Sequence, residues 1–214
     1  LLALNIVNRP WSGLLAPLDN HQGAPIGFLL TVKALTSALG NSEMVLRLFP
    51  LVAALVSLPL FYWVARRTVS TVNAVVALAL LAIGEYSMYY SSEAKQYAVD
   101  LVVVILIYIT VLRLIDQPER QNRYWVLGGV GAAALWFSHP AVFILAGIGA
   151  VLILDGLLAR KRRRLALLLI CFLLWSASFA VAYAVSLRYL EADAALLGYW
   201  QAYFMPVPPW RDLG

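Results

Sequence analysis

The stretch Ser91-Ser-Glu-Ala-Lys-Gln-Tyr-Ala-Val-Asp100 places ionisable side chains between two long apolar segments of the chain. Charged groups at membrane depth are costly, and those that a protein keeps there commonly serve its function. If a helix begins at Lys95, four polar residues follow the i, i+3, i+4, i+7 spacing that gathers side chains on one face: Glu93, Gln96, Tyr97 and Asp100. The stretch therefore predicts a polar stripe that descends from a loop into a membrane-spanning helix.

The composition around this stretch is that of a polytopic membrane protein. The chain has 214 residues, of which 63% are hydrophobic and 13% charged, and its mean hydropathy is +0.81. These values lie outside the usage of soluble domains. Since a helical crossing needs about 20 mostly apolar residues, we predict an all-α transmembrane bundle of about six spans: 43–65, 72–90, 97–115, 124–138, 140–158 and 165–189.

The distribution of basic residues predicts the orientation of these spans. One set of loops is rich in Arg and Lys: Arg66, Arg67, Arg113, Arg120, Arg123 and the run from Arg160 to Arg164. Because basic loops stay on the cytoplasmic side, both ends of the chain are expected on the outer side of a bacterial inner membrane. The basic run is interpreted as a topology anchor, with lipid-headgroup binding as the alternative. The net charge of +5 needs no nucleic acid, since no basic patch with interleaved aromatics is present.

The chain divides into three parts on this interpretation. Residues 1–42 form an outer juxtamembrane segment, with amphipathic helices predicted over 1–15 and over Ile26–Leu39. Gly40-Asn-Ser-Glu43 predicts a helix C-cap followed by the N-cap of the first span. Residues 43–190 form the six-span region, and 191–214 begin the next outer loop. Because the chain opens on Leu1-Leu-Ala and stops at Gly214, we expect it to be a piece of a longer protein.

The polar residues that anchoring does not explain fall on the outer side: Asp19, His21, Gln22, Arg47, Glu93, Lys95, Gln96, Asp100 and His139. Such a set suits a lipid-borne, negatively charged substrate. An Arg or Lys neutralises a leaving phosphate, and a carboxylate deprotonates an acceptor hydroxyl or amine. Two residues have structural alternatives, because His139 before Pro140 can cap a helix and Arg47 can pair with Glu43 four residues earlier.

Other residue patterns carry less chemistry. Glu85 in the second predicted span is either a cavity-facing acid or an ion-paired one, and Tyr86, Tyr89 and Tyr90 suit an interfacial belt. The single cysteine, Cys171, excludes a disulfide framework and a cysteine-based metal site within this sequence. There is no P-loop, glycine-rich nucleotide motif or HExxH motif, so a nucleotide-sugar fold or an ATP-driven pump has no support.

Three stretches make the sequence resemble the GT-C glycosyltransferases, which include protein O-mannosyltransferases and lipid A aminoarabinose transferases. They are Ala24-Pro-Ile-Gly-Phe-Leu-Leu running to Gly40-Asn-Ser-Glu-Met-Val-Leu-Arg-Leu-Phe-Pro50, then Tyr90-Ser-Ser-Glu-Ala-Lys-Gln-Tyr97, then Trp136-Phe-Ser-His-Pro140. With the alternating spans, they cover nearly the whole chain. The first two are fairly specific, and the third is weak alone.

The resemblance implies a polyprenyl-phosphate sugar donor and a catalytic acid in the first outer loop, at a position expected before Leu1. Asp19 falls too late in the sequence to replace that acid. Glu93 matches the second-loop acid that helps to form the site, and Lys95 would meet the donor phosphate. Arg47 matches an arginine of the family's Leu-Arg-Leu-Phe-Pro stretch. The resemblance leaves a divalent metal open, since some relatives use one and others do not.

We therefore expect an integral membrane glycosyltransferase that passes a sugar to a lipid, glycan or protein acceptor on the outer side. The binding residues expected in contact with substrate are Lys95, Gln96, Tyr97, Asp100, Arg47, His21 and His139, with Glu93 as the candidate acid. Two alternatives stay open. One is a non-catalytic subunit that binds a lipid carrier, and the other is a secondary transporter, which would place its ionisable residues at the bilayer midplane.

Overall fold

The computed structural model describes residues 2–191, 194, 195 and 198, and in this part of the chain every regular element is helical. The α-helices are α1 (Leu2–Asn8), α2 (Ile26–Leu39), α3 (Glu43–Thr68), α4 (Thr71–Ile83), α5 (Glu85–Ser91), α6 (Tyr97–Asp116), α7 (Gln121–Phe137), α8 (Ala141–Leu158), α9 (Arg162–Ala182) and α10 (Arg188–Glu191). A π-helical segment, Tyr183–Leu187, joins α9 to α10, and short 3-10 turns cover Trp11–Leu15 and Asp19–His21. The predicted all-α class is confirmed. The outer loop predicted over 191–214 lies mostly outside the described residues.

Four helices among the described residues are long and apolar enough to cross a membrane: α3, α6, α8 and the continuous helical stretch Arg162–Leu190. The pair α4 and α5 would form a fifth span if its two parts are counted together. Helix α7 has 17 residues, which is at the short end of what a crossing needs. The chain is thus a membrane helical bundle, but the prediction of six spans is not confirmed.

The second predicted span, 72–90, is wrong as one continuous helix. Its two parts, α4 and α5, meet at an angle of 55°, because Gly84 between them adopts the extended torsions φ −60° and ψ 127°. Past this glycine the sequence turns polar and aromatic, with Glu85 and three tyrosines. Such residues favour the interface over the hydrocarbon core, which gives a physical reason for the change of direction.

The start of α3 follows its sequence signals. Gly40 ends α2 with φ at +93° and donates its N–H to the Thr36 carbonyl at 3.0 Å. A positive φ suits glycine at a helix C-terminus. Two residues later the Ser42 hydroxyl accepts a hydrogen bond from the Val45 N–H at 3.3 Å, as an N-cap serine does. Both predicted caps are confirmed.

Helix α7 lies in the core of the bundle despite its length. It packs against α6 and α9, and three α9 side chains donate to successive α7 carbonyls: Cys171 to Tyr124 at 3.2 Å, Trp175 to Gly128 at 3.1 Å and Ser178 to Ala132 at 2.8 Å. The matching order shows that the two helices are parallel. Gly131 permits the approach, since a Cβ there would lie 2.2 Å from Trp175 Nε1.

The basic loops meet at one end of the bundle. Arg67 at the end of α3 pairs with Asp116 at the end of α6. Arg164 at the start of α9 pairs with Glu119, before α7, at 2.6 Å, and its hydrogen bond holds the pKa of Glu119 below the ordinary value. We call this the basic end. The basic end contains residues from all three arginine-rich loops. This is the arrangement expected when successive spans alternate in direction.

The segment before α2 is held by polar contacts to the rest of the fold. The predicted helix over 1–15 is interrupted at Pro10, so that α1 is followed by a 3-10 turn. Lys33 of α2 donates to the carbonyls of Ile6 and Val7 at 2.9 and 3.0 Å, at the end of α1. Asp19 forms an ion pair with Arg9 at 2.7 Å. Asp19 therefore links the turn at 19–21 to the segment that carries Arg9.

Candidate functional site

Two adjoining cavities lie at the end of the bundle opposite the basic end. Their volumes are about 410 Å³ and about 710 Å³, and they share Leu2, Gln22 and Lys95 in their linings. We call them together the polar recess. Its charged and polar lining includes Glu43, which was not predicted, and most of the residues predicted for the site, which are His21, Gln22, Arg47, Glu93, Lys95, Gln96 and Tyr97.

The loop between α5 and α6 positions the central residues of the recess. The Ser92 N–H returns to the Tyr89 carbonyl at 3.1 Å, and the Lys95 N–H donates to the Glu93 carbonyl at 2.8 Å. These bonds fold the loop tightly. Glu93 and Lys95 are half-buried, and both line the 410 Å³ cavity. Their side chains therefore face a space that is open to a ligand.

The predicted helical stripe is wrong in its geometry. Helix α6 begins at Tyr97, two residues after Lys95, and Gln96 serves as its N-cap residue. Glu93 and Gln96 thus belong to the loop, and they reach the recess because the loop folds over it. Both residues line the recess, and the roles expected for them, acid for Glu93 and substrate contact for Gln96, stay predictions.

Arg47 lies in the recess lining and is also paired with a neighbouring acid. It forms an ion pair with Glu43 one turn earlier on α3, and both side chains line the recess. One Nη of Arg47 contacts Glu43 Oε1, and its other N–H groups have no partner among the described residues. The pairing thus leaves donors for an anion. The lining position of Glu43 was missed, although its i, i+4 spacing to Arg47 places both on one face of α3.

Asp100 and His139 do not line the recess. Asp100 lies in the first turn of α6 beside Ser138, which is fully buried. Neither Asp100 Oδ1 nor Ser138 Oγ has a well-aligned hydrogen bond in the described part of the structure. His139 follows in the turn between α7 and α8, where burial lowers its pKa to about 4. Both side chains are half-buried and lie outside the recess lining, next to the buried Ser138.

His21 borders the larger cavity. Its side chain is exposed, and its backbone has φ at +52°, next to Asn20 at +61°. Left-handed torsions in a histidine are uncommon and mark a locally constrained turn. The 19–21 turn borders the recess through Asn20 and His21.

An apolar side groove adjoins the recess. Its volume is about 290 Å³, and it lies between α3, the bent pair α4 and α5, and α6. Tyr86, Tyr90 and Tyr97 line it, with the rings of Tyr90 and Tyr97 4.4 Å apart between centroids. Tyr97 also borders the recess. The groove depends on the bend at Gly84, for which the apolar run over 72–90 gave no signal.

A metal ion in the recess would need side chains that can act as its ligands. The described residues contain no group of three or more His, Cys, Asp or Glu side chains that could hold one. Glu43 and Glu93 are the carboxylates in the described lining of the recess. The sequence-based expectation that left a divalent metal open stays a prediction.

Comparison with known proteins agrees with this architecture. A family model described as dolichyl-phosphate-mannose-protein mannosyltransferase matches residues 23–179. The match runs from the turn before α2 into α9, and it includes Arg47, Glu93 and Lys95. No curated protein and no solved structure matches the chain.

The match and the apolar helical bundle together define an integral membrane glycosyltransferase of the GT-C type. The chain belongs to the dolichyl-phosphate-mannose-protein mannosyltransferase family.

Proposed function

We propose that this protein transfers a sugar from a polyprenyl-phosphate donor to an acceptor at the outer face of the membrane, with the polar recess as its site. The observation that carries the proposal is the meeting of Glu93, Lys95 and Arg47 around one cavity. A carboxylate and two cations at the end of a membrane bundle suit a reaction that releases a phosphate from a lipid carrier.

The chemistry assigns a role to each charge. Transfer forms a bond between the anomeric carbon and an acceptor oxygen or nitrogen, and breaks the bond from that carbon to the phosphate oxygen. The phosphate leaves with the electron pair, so a cation beside it lowers the barrier. Lys95 is the cation beside the leaving phosphate, and the unpaired N–H donors of Arg47 supply a second contact to it. Glu93 orients the acceptor or the sugar hydroxyls.

The side groove supports the choice of a lipid carrier. It is lined mainly by apolar side chains of α3, α4 and α6, and it reaches the recess at Tyr97. An isoprenoid chain in this groove would place its phosphate at the mouth of the recess, near Lys95. The aromatic rings of Tyr86 and Tyr90 would pack against the chain.

The acid that deprotonates the acceptor is expected, from the resemblance, in a loop before Leu1. Glu93 is the unpaired carboxylate in the described lining, since Glu43 is engaged by Arg47. The proposed transfer therefore needs a second acid, and the full-length protein is the form to test. The family's description names dolichyl-phosphate mannose and protein. We take a polyprenyl-phosphate sugar as the donor and leave lipid, glycan or protein as the acceptor.

The presence of a single unpaired carboxylate also favours a second candidate, a subunit that binds the lipid carrier without performing transfer. It would use the same groove and the same cations. A secondary transporter is disfavoured, because such proteins hold their ionisable residues near the bilayer midplane, whereas the charged lining here lies at one end of the bundle.

Donor specificity tests the proposal. Membranes that contain the full-length protein are supplied with radiolabelled mannose on polyprenyl phosphate or on a nucleotide, with proteins and lipids of the same membranes as acceptors. Other polyprenyl-phosphate sugars are tried in parallel. We expect label to pass from a polyprenyl-phosphate donor only. Binding of the carrier without transfer from any donor would favour the subunit.

A further inference from the structure

Two arginines share one tryptophan ring at the basic end, far from the recess. The guanidinium carbon of Arg67 lies 4.8 Å from the centre of the Trp63 ring, and that of Arg113 lies 5.6 Å from it. Trp63 and Arg67 stand one turn apart on α3, and Arg113 is in the last turn of α6. We call this group the Trp63 cluster.

The cluster has more cations than counter-charges. Arg67 pairs with Asp116, whereas Arg113 has no hydrogen bond or ion pair among the described residues and contacts only the ring. Arg66, the neighbour of Arg67, contacts the uncharged Thr71 hydroxyl. The two guanidinium groups of the cluster therefore have one carboxylate between them, and Arg66 adds a positive charge at the adjacent position. Like charges held this close near a low-dielectric membrane favour an additional anion.

The depth of the cluster indicates which anion is at hand. From Glu43 to Trp63, α3 rises about 30 Å at 1.5 Å per residue, which is the thickness of the hydrocarbon core. Trp63 thus lies where tryptophan is enriched, at the level of the lipid headgroups. At this level the phosphate groups of the surrounding phospholipids are the abundant anions.

We propose that the Trp63 cluster is a binding site for the phosphate group of an anionic phospholipid, in the leaflet opposite to the polar recess. The planar fork of Arg113 offers paired N–H donors that match two phosphate oxygens. Arg67 contributes a second positive charge next to the same ring, and the indole contacts the upper acyl chains. Cytoplasmic loops carry basic residues in any case, but such anchoring needs only charge, whereas this site depends on Arg113 and the ring.

The test compares two single substitutions of equal charge. Arg113→Gln removes the unpaired fork, and the matched control, Arg120→Gln, removes an exposed arginine seven residues later whose side chain has no partner in the described structure. The full-length protein is released from bilayers of phosphatidylglycerol and phosphatidylcholine, and retained lipids are counted by native mass spectrometry.

We expect the wild type and Arg120→Gln to retain phosphatidylglycerol, and Arg113→Gln to retain about fivefold less, as expected for one cation near a lipid surface. Millimolar inorganic phosphate should not displace the lipid. Equal losses in both variants, equal retention of phosphatidylcholine, or displacement by phosphate alone would overturn the proposal.

A second variant covers the case in which Arg113→Gln fails to accumulate. Arg113→Lys keeps the charge needed for topology and removes the planar fork. Lower retention of phosphatidylglycerol is expected, and wild-type retention would count against the site. Since the lipid count does not depend on sugar transfer, its outcome is separate from that of the proposed function.

Discussion

Lys95 is the residue whose position best links the fold to the chemistry. It lies in the lining of both cavities of the polar recess, and its loop is folded by the bond from its own N–H to the Glu93 carbonyl. A compact ammonium group on a flexible stem suits a phosphate whose position shifts as its bond to the sugar breaks. Substitution of single residues such as Lys95 therefore tests the proposed site most directly.

Substitution of Lys95 by Gln should lower sugar transfer by about tenfold to a hundredfold, since it removes a charge-assisted contact to the leaving phosphate. Lys161→Gln, an exposed lysine at the basic end, is the matched control and should transfer at the wild-type rate. The measurement is the initial rate in membranes at equal protein level. Similar rates for both variants would remove Lys95 from the site.

The burial of His139 predicts a pH effect on stability rather than a catalytic role. Its pKa is lowered to about 4 in the folded protein from 6.5, so the unfolded chain takes up the proton first as the pH falls. The folded state should thus lose stability below about pH 6.5, and the loss should end near pH 4. Thermal unfolding in detergent at several pH values should show a smaller dependence in His139→Asn. An identical dependence in both proteins would contradict the burial.

At the scale of elements, helix ends were predictable and helix packing was not. Gly40 and Ser42 end one helix and start the next through local bonds, and local signals of this kind are written in the sequence. Helix α6 begins at Tyr97, where the third span was predicted to begin, whereas the break at Gly84 falls inside a run predicted as one span. No periodicity in the apolar runs distinguishes a straight span from a bent one. The side groove is lined by residues on both sides of this bend.

The interface between α7 and α9 gives a prediction at this scale. Gly131→Val should destabilise the protein by about 1–3 kcal/mol, because overpacking forces rigid neighbours apart. The Trp175 ring, 2.2 Å from a Cβ at this position, is held by its bond to the Gly128 carbonyl. Gly129→Val is the control two residues away, since a Cβ there meets nothing within 4 Å. Thermal unfolding in one detergent compares them, and equal midpoints would show that the two helices do not pack as described.

At the scale of the whole molecule, the separation of charges was largely predictable and the site only in part. The arginine-rich loops were expected on one side, and they meet at the basic end through Arg67 with Asp116 and Arg164 with Glu119. Polar residues expected on the other side line the recess, with Asp19, Asp100 and His139 as exceptions. Sequence spacing gives the height of a residue in a bundle, but its direction depends on how the helices rotate against each other.

The orientation in the membrane is a prediction for the whole molecule. In a Cys171→Ala background, Ser92→Cys beside the recess should react with a membrane-impermeant maleimide added to intact cells. Gln121→Cys at the basic end should react only after the membrane is opened. Both positions are exposed, and basic loops favour the cytoplasm. The opposite pattern would place the recess on the cytoplasmic side.

Sugar transfer from a polyprenyl-phosphate donor is proposed to take place in the polar recess. The most direct measurement is the rate of this transfer by the full-length protein carrying Glu93→Gln, beside Glu85→Gln as the matched control. Glu85 is an exposed acid of α5 that has no partner among the described residues and lies outside the recess lining. We predict a loss of at least about tenfold for Glu93→Gln and wild-type transfer for Glu85→Gln, at equal protein levels. Wild-type transfer by Glu93→Gln would contradict the account.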